Sequence, residues 1–176
     1  HEKLLGVGEL EAVLGSSYAD GEPVVVMPDS VSEEMVAELR RKIDARSENE
    51  EVLEFLTESG AAEASAPVLL QVIMMVSGAI PSAFVSLIDR YSDSLRTLDA
   101  ESTDEGALMK SLSASTSHDG GLMLMFMDAC LRRSVISCKD AAELLSASDV
   151  MQSINNNVWV ARLLNVVVER TLDIAK

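Results

Sequence analysis

Aromatic side chains are scarce in this sequence: three Phe, two Tyr and one Trp make up 3% of 176 residues, against 48% hydrophobic residues in all. Sheets draw on aromatic and β-branched residues, so the shortage favours packed helices cored by Leu, Val, Ala and nine Met. Cysteine is equally sparse. Cys130 and Cys138 offer no framework of the kind that staples small secreted domains, which points to a reducing compartment. On a single helix their separation would hold the backbones roughly 12 Å apart, beyond disulfide reach. Basic residues are outnumbered 14 to 29 by acidic ones, for a net charge of -15 and a pI near 4.4. That field repels phosphate backbones and excludes sequence-independent nucleic-acid binding by this chain alone. The basic spots, Arg40 to Lys42 and Arg132 with Arg133, read as helix ends. Two His and two Cys at these spacings make no zinc site, and neither metal nor cofactor is expected. The chain opens HEKLLG with no initiator Met and no signal-like apolar region, which suggests an internal or processed segment.

Long apolar runs are also missing. The greasiest stretch, VLLQVIMMVSGAIPSAFVSLIDRY, falls short of the roughly 20 residues a bilayer requires, and Gln71, Ser77, Gly78 and Pro81 interrupt it. Residues 68–76 read as a helix apolar on nearly all sides and therefore buried, ended by Gly78. Pro81 opens the next helix, where a missing N–H costs least. That helix places Phe84, Ile88, Tyr91, Leu95 and Leu98 on one stripe, with Asp89, Arg90, Asp93 and Arg96 outward. So short a turn between helices predicts a hairpin.

The remaining segments follow the same grammar. Residues 4–14 read as a short weak helix, and SSYADGEPVVVMPDS as an extended loop or brief strand linking two modules. Capping boxes are expected at Ser30 with Glu33 and at Ser47 with Glu50, followed by helices through Ile43 and Leu56, and residues 60–66 as a small-residue linker. Residues 104–112 are expected to be helical, and SASTSHDGG to be a flexible polar loop. LMLMFMDACLRRSV reads as another helix apolar nearly all round, followed by an amphipathic helix over 138–145. In the last helix, 158–174, only the strip Arg162, Asn165, Glu169 and Asp173 is expected to face water. The fold class is therefore all-α, with antiparallel hairpins stacked as an α-solenoid. Residues 1–29 form a linker and the end of a preceding module, and 30–176 the helical-repeat domain.

No catalytic site is expected. Ser117, His118 and Asp119 sit together in a Ser- and Gly-rich loop, whereas a nucleophilic triad needs an oriented, buried base assembled by the fold. Acidic pairs such as Glu33 and Glu34, Glu50 and Glu51, or Asp104 and Glu105 flank helix starts, where the macrodipole favours them. Met123, Met125 and Met127 read as core filling, with a Met-lined ligand groove as the rival.

The blocks VAELRRKIDARSENEEVLEFL, SAFVSLIDRYSDSLRTL, RRSVISCKDAAELL and VWVARLLNVVVERTLDI resemble, in order and spacing, the C-terminal helical domain of the large subunit of the nuclear cap-binding complex, over residues 28–174. That domain is of the middle-domain, HEAT-like class. The resemblance implies a nuclear, non-enzymatic scaffold, with passage to the cytoplasm open. Such a scaffold docks a small RNA-recognition-motif subunit together with other helical domains of the same large subunit, and meets capped RNA only indirectly. It implies no membrane association and names no contact residues. Related alternatives are a middle-domain scaffold of translation initiation or nonsense-mediated decay, and a helical protein with a Met-lined ligand site.

Overall fold

A computed structural model describes residues 23–60, 64–116, 119–146 and 158–174. All regular structure among them is helical: α1 (Glu33–Asp44), α2 (Asn49–Glu58), α3 (Ser65–Ser77), α4 (Pro81–Glu101), α5 (Ala107–Thr116), α6 (Gly120–Arg132), α7 (Cys138–Ser146) and α8 (Val158–Ile174). The expected helix over 4–14 lies outside the described residues.

The helices pack in two rows. Odd-numbered helices follow one another, α1 on α3, α3 on α5 and α5 on α7, and even-numbered ones run α2, α4, α6, α8. Each odd helix also packs on the even helix that follows it. This explains why α3 is buried on every side: α1, α4 and α5 enclose it, and Val68 to Met74 are all solvent-free. The predicted stripe of α4, Phe84 to Leu98, is wholly buried. Phe84 stacks on Phe126 of α6 with ring centroids 3.8 Å apart.

Where local chemistry decides, the boundaries agree with the sequence. Gly78 caps α3 at φ 55° and ψ -140°, and Pro81 stands in the first turn of α4. Nothing lies within 4 Å of a Cβ built on Gly78, so a side chain there costs backbone strain alone. Gly78→Ala is expected to destabilise by about 1–3 kcal/mol, read by chemical denaturation.

Where tertiary contacts decide, the boundaries move. A turn closed by Val31 N–H on the Pro28 carbonyl occupies Ser30, so α1 starts two residues later than expected. Ser32 is the cap, its Oγ accepting from Met35 N–H at 3.2 Å. At α2 the cap residue is Glu48, without a side-chain cap bond, because the Ser47 carbonyl is already held by the Tyr91 hydroxyl at 2.9 Å and Arg90 Nε at 3.3 Å. Residues 65 and 66, assigned to the linker, open α3. α5 cannot begin at Asp104, since Gly106 has φ 72° and the Asp104 N–H is bound by Ser102 Oγ. It runs on through four residues of the expected polar loop, with Ser115 and Thr116 hydroxyls donating back to the carbonyls of Ser111 and Leu112.

The last helix departs most. Leu164, Val168 and Leu172 are 40%, 49% and 58% exposed, so the water-facing arc is wider than the predicted polar strip. The cause is position. Among the described residues α8 packs on α6 and α7, and it turns Val166 and Val167 inward.

Candidate docking surfaces

The helical pitch of α2 sorts its side chains sharply. Val52 and Leu56 point into the core, and Glu50, Glu51, Glu54 and Glu58 fall on the opposite face within about 100° of arc, all exposed. None of these four lies within ion-pair distance of a cation among the described residues. The face is held rigidly. Asn49 Nδ2 donates to the Arg90 carbonyl at 2.6 Å, and Ser94 Oγ donates to Asn49 Oδ1 at 2.7 Å. Arg90 Nη2 donates to the Arg46 carbonyl at 2.6 Å and pairs with Glu48 at 3.1 Å. Arg46 itself takes φ 54° to make this turn. The first turn of α2 is thus bolted to α4, and the carboxylates project from a fixed axis.

A second feature is polar and buried. Gln71 of α3 is solvent-free, and its Nε2 donates to the Ser111 carbonyl at 3.1 Å, Ser111 Oγ at 2.8 Å and Ser115 Oγ at 2.6 Å. Its Oε1 accepts Val26 N–H at 3.0 Å, while Val24 N–H donates to the Ser115 carbonyl at 2.9 Å. The chain over 23–28 is neither helix nor strand, and Met27 packs on the core. Among the described residues no buried side-chain nitrogen or oxygen lacks a partner.

The chemical candidates are dispersed. Ser117 and His118 lie outside the described residues, and Asp119 Oδ1 caps α6, accepting from Gly121 and Leu122 N–H at 2.9 and 3.1 Å. Met123, Met125 and Met127 are buried and fill core. Cys130 and Cys138 occupy different helices and are free; burial pushes the Cys130 thiol far up and keeps it unreactive. Among the described residues no three His, Cys, Asp or Glu side chains come together as a metal-holding group, and no helix is long and apolar enough to cross a membrane. Four residues of the basic spots have acidic partners close by, Arg40 with Asp44, Arg41 with Glu38, Arg132 with Asp128 and Arg133 with Asp89, while Lys42 lies over the Phe55 ring.

Among the described residues two carboxyls titrate abnormally: the Arg41 guanidinium holds Glu38 below the usual carboxylate range, and Asp99 moves the other way. Burial raises the pKa of Asp99 in α4, and the Asp140 carboxylate of α7 raises it further. A folded-state pKa above the unfolded one means that the native chain holds the extra proton. Stability from this group is therefore full at low pH and falls as pH climbs from about 3.9 through the raised value. Asp99→Asn is expected to raise the melting temperature at pH 7 and to flatten that fall. An unchanged pH profile in thermal melts would refute the assignment.

Sequence reasoning missed both hydrogen-bonded knots. The one available signal was Gln71 standing alone in an apolar helix, which demands buried partners. A comparison with models of protein families found no match, and neither did a comparison with curated proteins.

Proposed function

We propose that this chain is a non-catalytic helical-repeat scaffold that docks a small, basic RNA-recognition-motif subunit, as the large subunit of the nuclear cap-binding complex does. The observation that carries the reading is the rigid carboxylate face of α2, which has no ion-pair partner among the described residues. A fixed negative face steers and orients a basic partner while repelling free RNA. Two further features support it. Helices in two rows, each touching its neighbours, are what an α-solenoid of the middle-domain, HEAT-like kind would require, and this supports the reading. The sequence blocks resembling that complex fall on α1 with α2, on α4, on α7 with the turn before it, and on α8. In this reading the protein works in the nucleus, beside other helical domains of the same large subunit, and contacts the mRNA 5' cap only through the small subunit.

A cap-affinity titration tests this directly. Capped RNA is titrated into this chain, into the small subunit and into both, with the rest of the large subunit restored or left out. Tight cap binding is expected only where the small subunit is present, and tightest with the large subunit restored. Specific cap binding by this chain alone, or a small subunit indifferent to the restored large subunit, would overturn the proposal. A helicase captured instead would favour a translation-initiation scaffold.

A further inference from the structure

We propose that the groove between α3 and α5 is a receptor for an extended peptide segment of a partner protein, and that residues 23–27 occupy it in cis as a displaceable stand-in. The groove's acceptors are built before any strand arrives. Three donor contacts from Nε2 to Ser111 and Ser115 lock the Gln71 amide, so its Oε1 must aim outward at the strap. The second acceptor, the Ser115 carbonyl, lies in the last turn of α5, where carbonyls have no partner within the helix. Together they receive the N–H groups of Val24 and Val26, two residues apart, which is the repeat of an extended chain.

The occupant is held lightly. Val24, Val25 and Val26 are 53%, 39% and 45% exposed, so their side chains contribute little burial, and Met27 alone packs on the core. Segments with few buried contacts and two main-chain bonds open at low cost, and the covalent tether supplies the effective concentration that keeps this one seated. Once it leaves, Gln71 Oε1 is a positioned acceptor open to water, and a strand that supplies an N–H there regains a bond whose acceptor geometry is already fixed. The groove reads backbone more than side chains. Its ligand is an extended segment with free N–H groups at two alternate positions, so no proline at either, and an apolar residue directly after the second. This is main-chain recognition of the strand-addition type, made on a helical groove, and it stands whatever partner the α2 face takes.

The probe is a fluorescein-labelled peptide of residues 23–30, PVVVMPDS, measured by anisotropy against the full chain. Val24→Pro with Val26→Pro in the protein removes both cis donors while keeping the segment extended. That variant is expected to retain its helical spectrum and bind the peptide at least ~10-fold more tightly than the unaltered chain. Gln71→Leu in the same background should cancel the gain, and a peptide carrying proline at the same two positions should not bind. No gain, or binding indifferent to the prolines, overturns the proposal. Hydrogen exchange on the unaltered chain tests it without any variant: the Val24 and Val26 amides should exchange at least ~100-fold faster than those of Leu70 and Val72 in α3. Exchange as slow as in α3 would show that the strap does not release.

Discussion

Truncating Phe126 to alanine is expected to lower stability by about 3–5 kcal/mol, among the largest effects a single substitution can have here. Phe126 is solvent-free in α6 and stacks on solvent-free Phe84 of α4, with the rings 11° from parallel. With Tyr91, this pair makes up the fully buried aromatics among the described residues. Removing one ring loses its transfer energy, leaves a cavity between the two even-row helices, and forfeits about 0.5–1.5 kcal/mol of ring contact. Since each kilocalorie shifts the midpoint of a chain this size by roughly 2–4 °C, a fall of about 6–20 °C in the melting temperature is expected. The double variant with Phe84→Ala should cost clearly less than the sum, because both truncations open the same cavity. Strict additivity would show that the stacked pair does not act as one unit.

The pairing itself was not legible in the sequence, although both residues were. Phe84 falls on a stripe at steps of three and four that the structure buries in full, since periodicity reports which face is apolar. Phe126 sits in a helix apolar all round, where periodicity is silent about direction. Chain reversals set by backbone chemistry, Gly78 with its positive φ and Pro81 in a first turn, were equally readable. The capping boxes were not, for a physical reason. Ser47 has the right neighbours, but Tyr91 and Arg90, more than 40 residues away in sequence, draw its carbonyl out of capping register. The water-facing side of α8 failed similarly: how much of an apolar arc is covered depends on which helices stand beside it, and among the described residues α8 packs chiefly on α6 and α7. For the candidate site, the sign of the charge was legible from composition. That four carboxylates share one exposed arc of α2, without an ion-pair partner among the described residues, needed the helix boundaries and the ion-pair geometry of α1 and α4.

Reversing that arc should be the most severe change to partner binding. Glu50, Glu51, Glu54 and Glu58 together changed to Lys are expected to weaken docking of a small basic subunit on the order of 100-fold at low salt. An exposed ion pair is worth about 0.2–1 kcal/mol, and reversal replaces each attraction by a repulsion of similar size, so four such changes amount to a few kcal/mol. The loss should fall mainly on the association rate, because these charges act during encounter, and it should shrink as salt shortens the screening length below about 8 Å. The four-fold Gln variant removes attraction without adding repulsion, and should lose about 10-fold. Folding is a separate matter that the geometry also predicts. Glu54 and Glu58 are exposed and have no ion-pair partner among the described residues, so their reversal should be nearly neutral, whereas Glu50 and Glu51 stand in the first turn, where a lysine opposes the macrodipole at about 0.3–1 kcal/mol each. Stopped-flow association at two or more salt concentrations, with circular dichroism as the control for folding, separates the two. A folded Lys variant that associates at the unaltered rate with the same salt slope would remove α2 as the docking face.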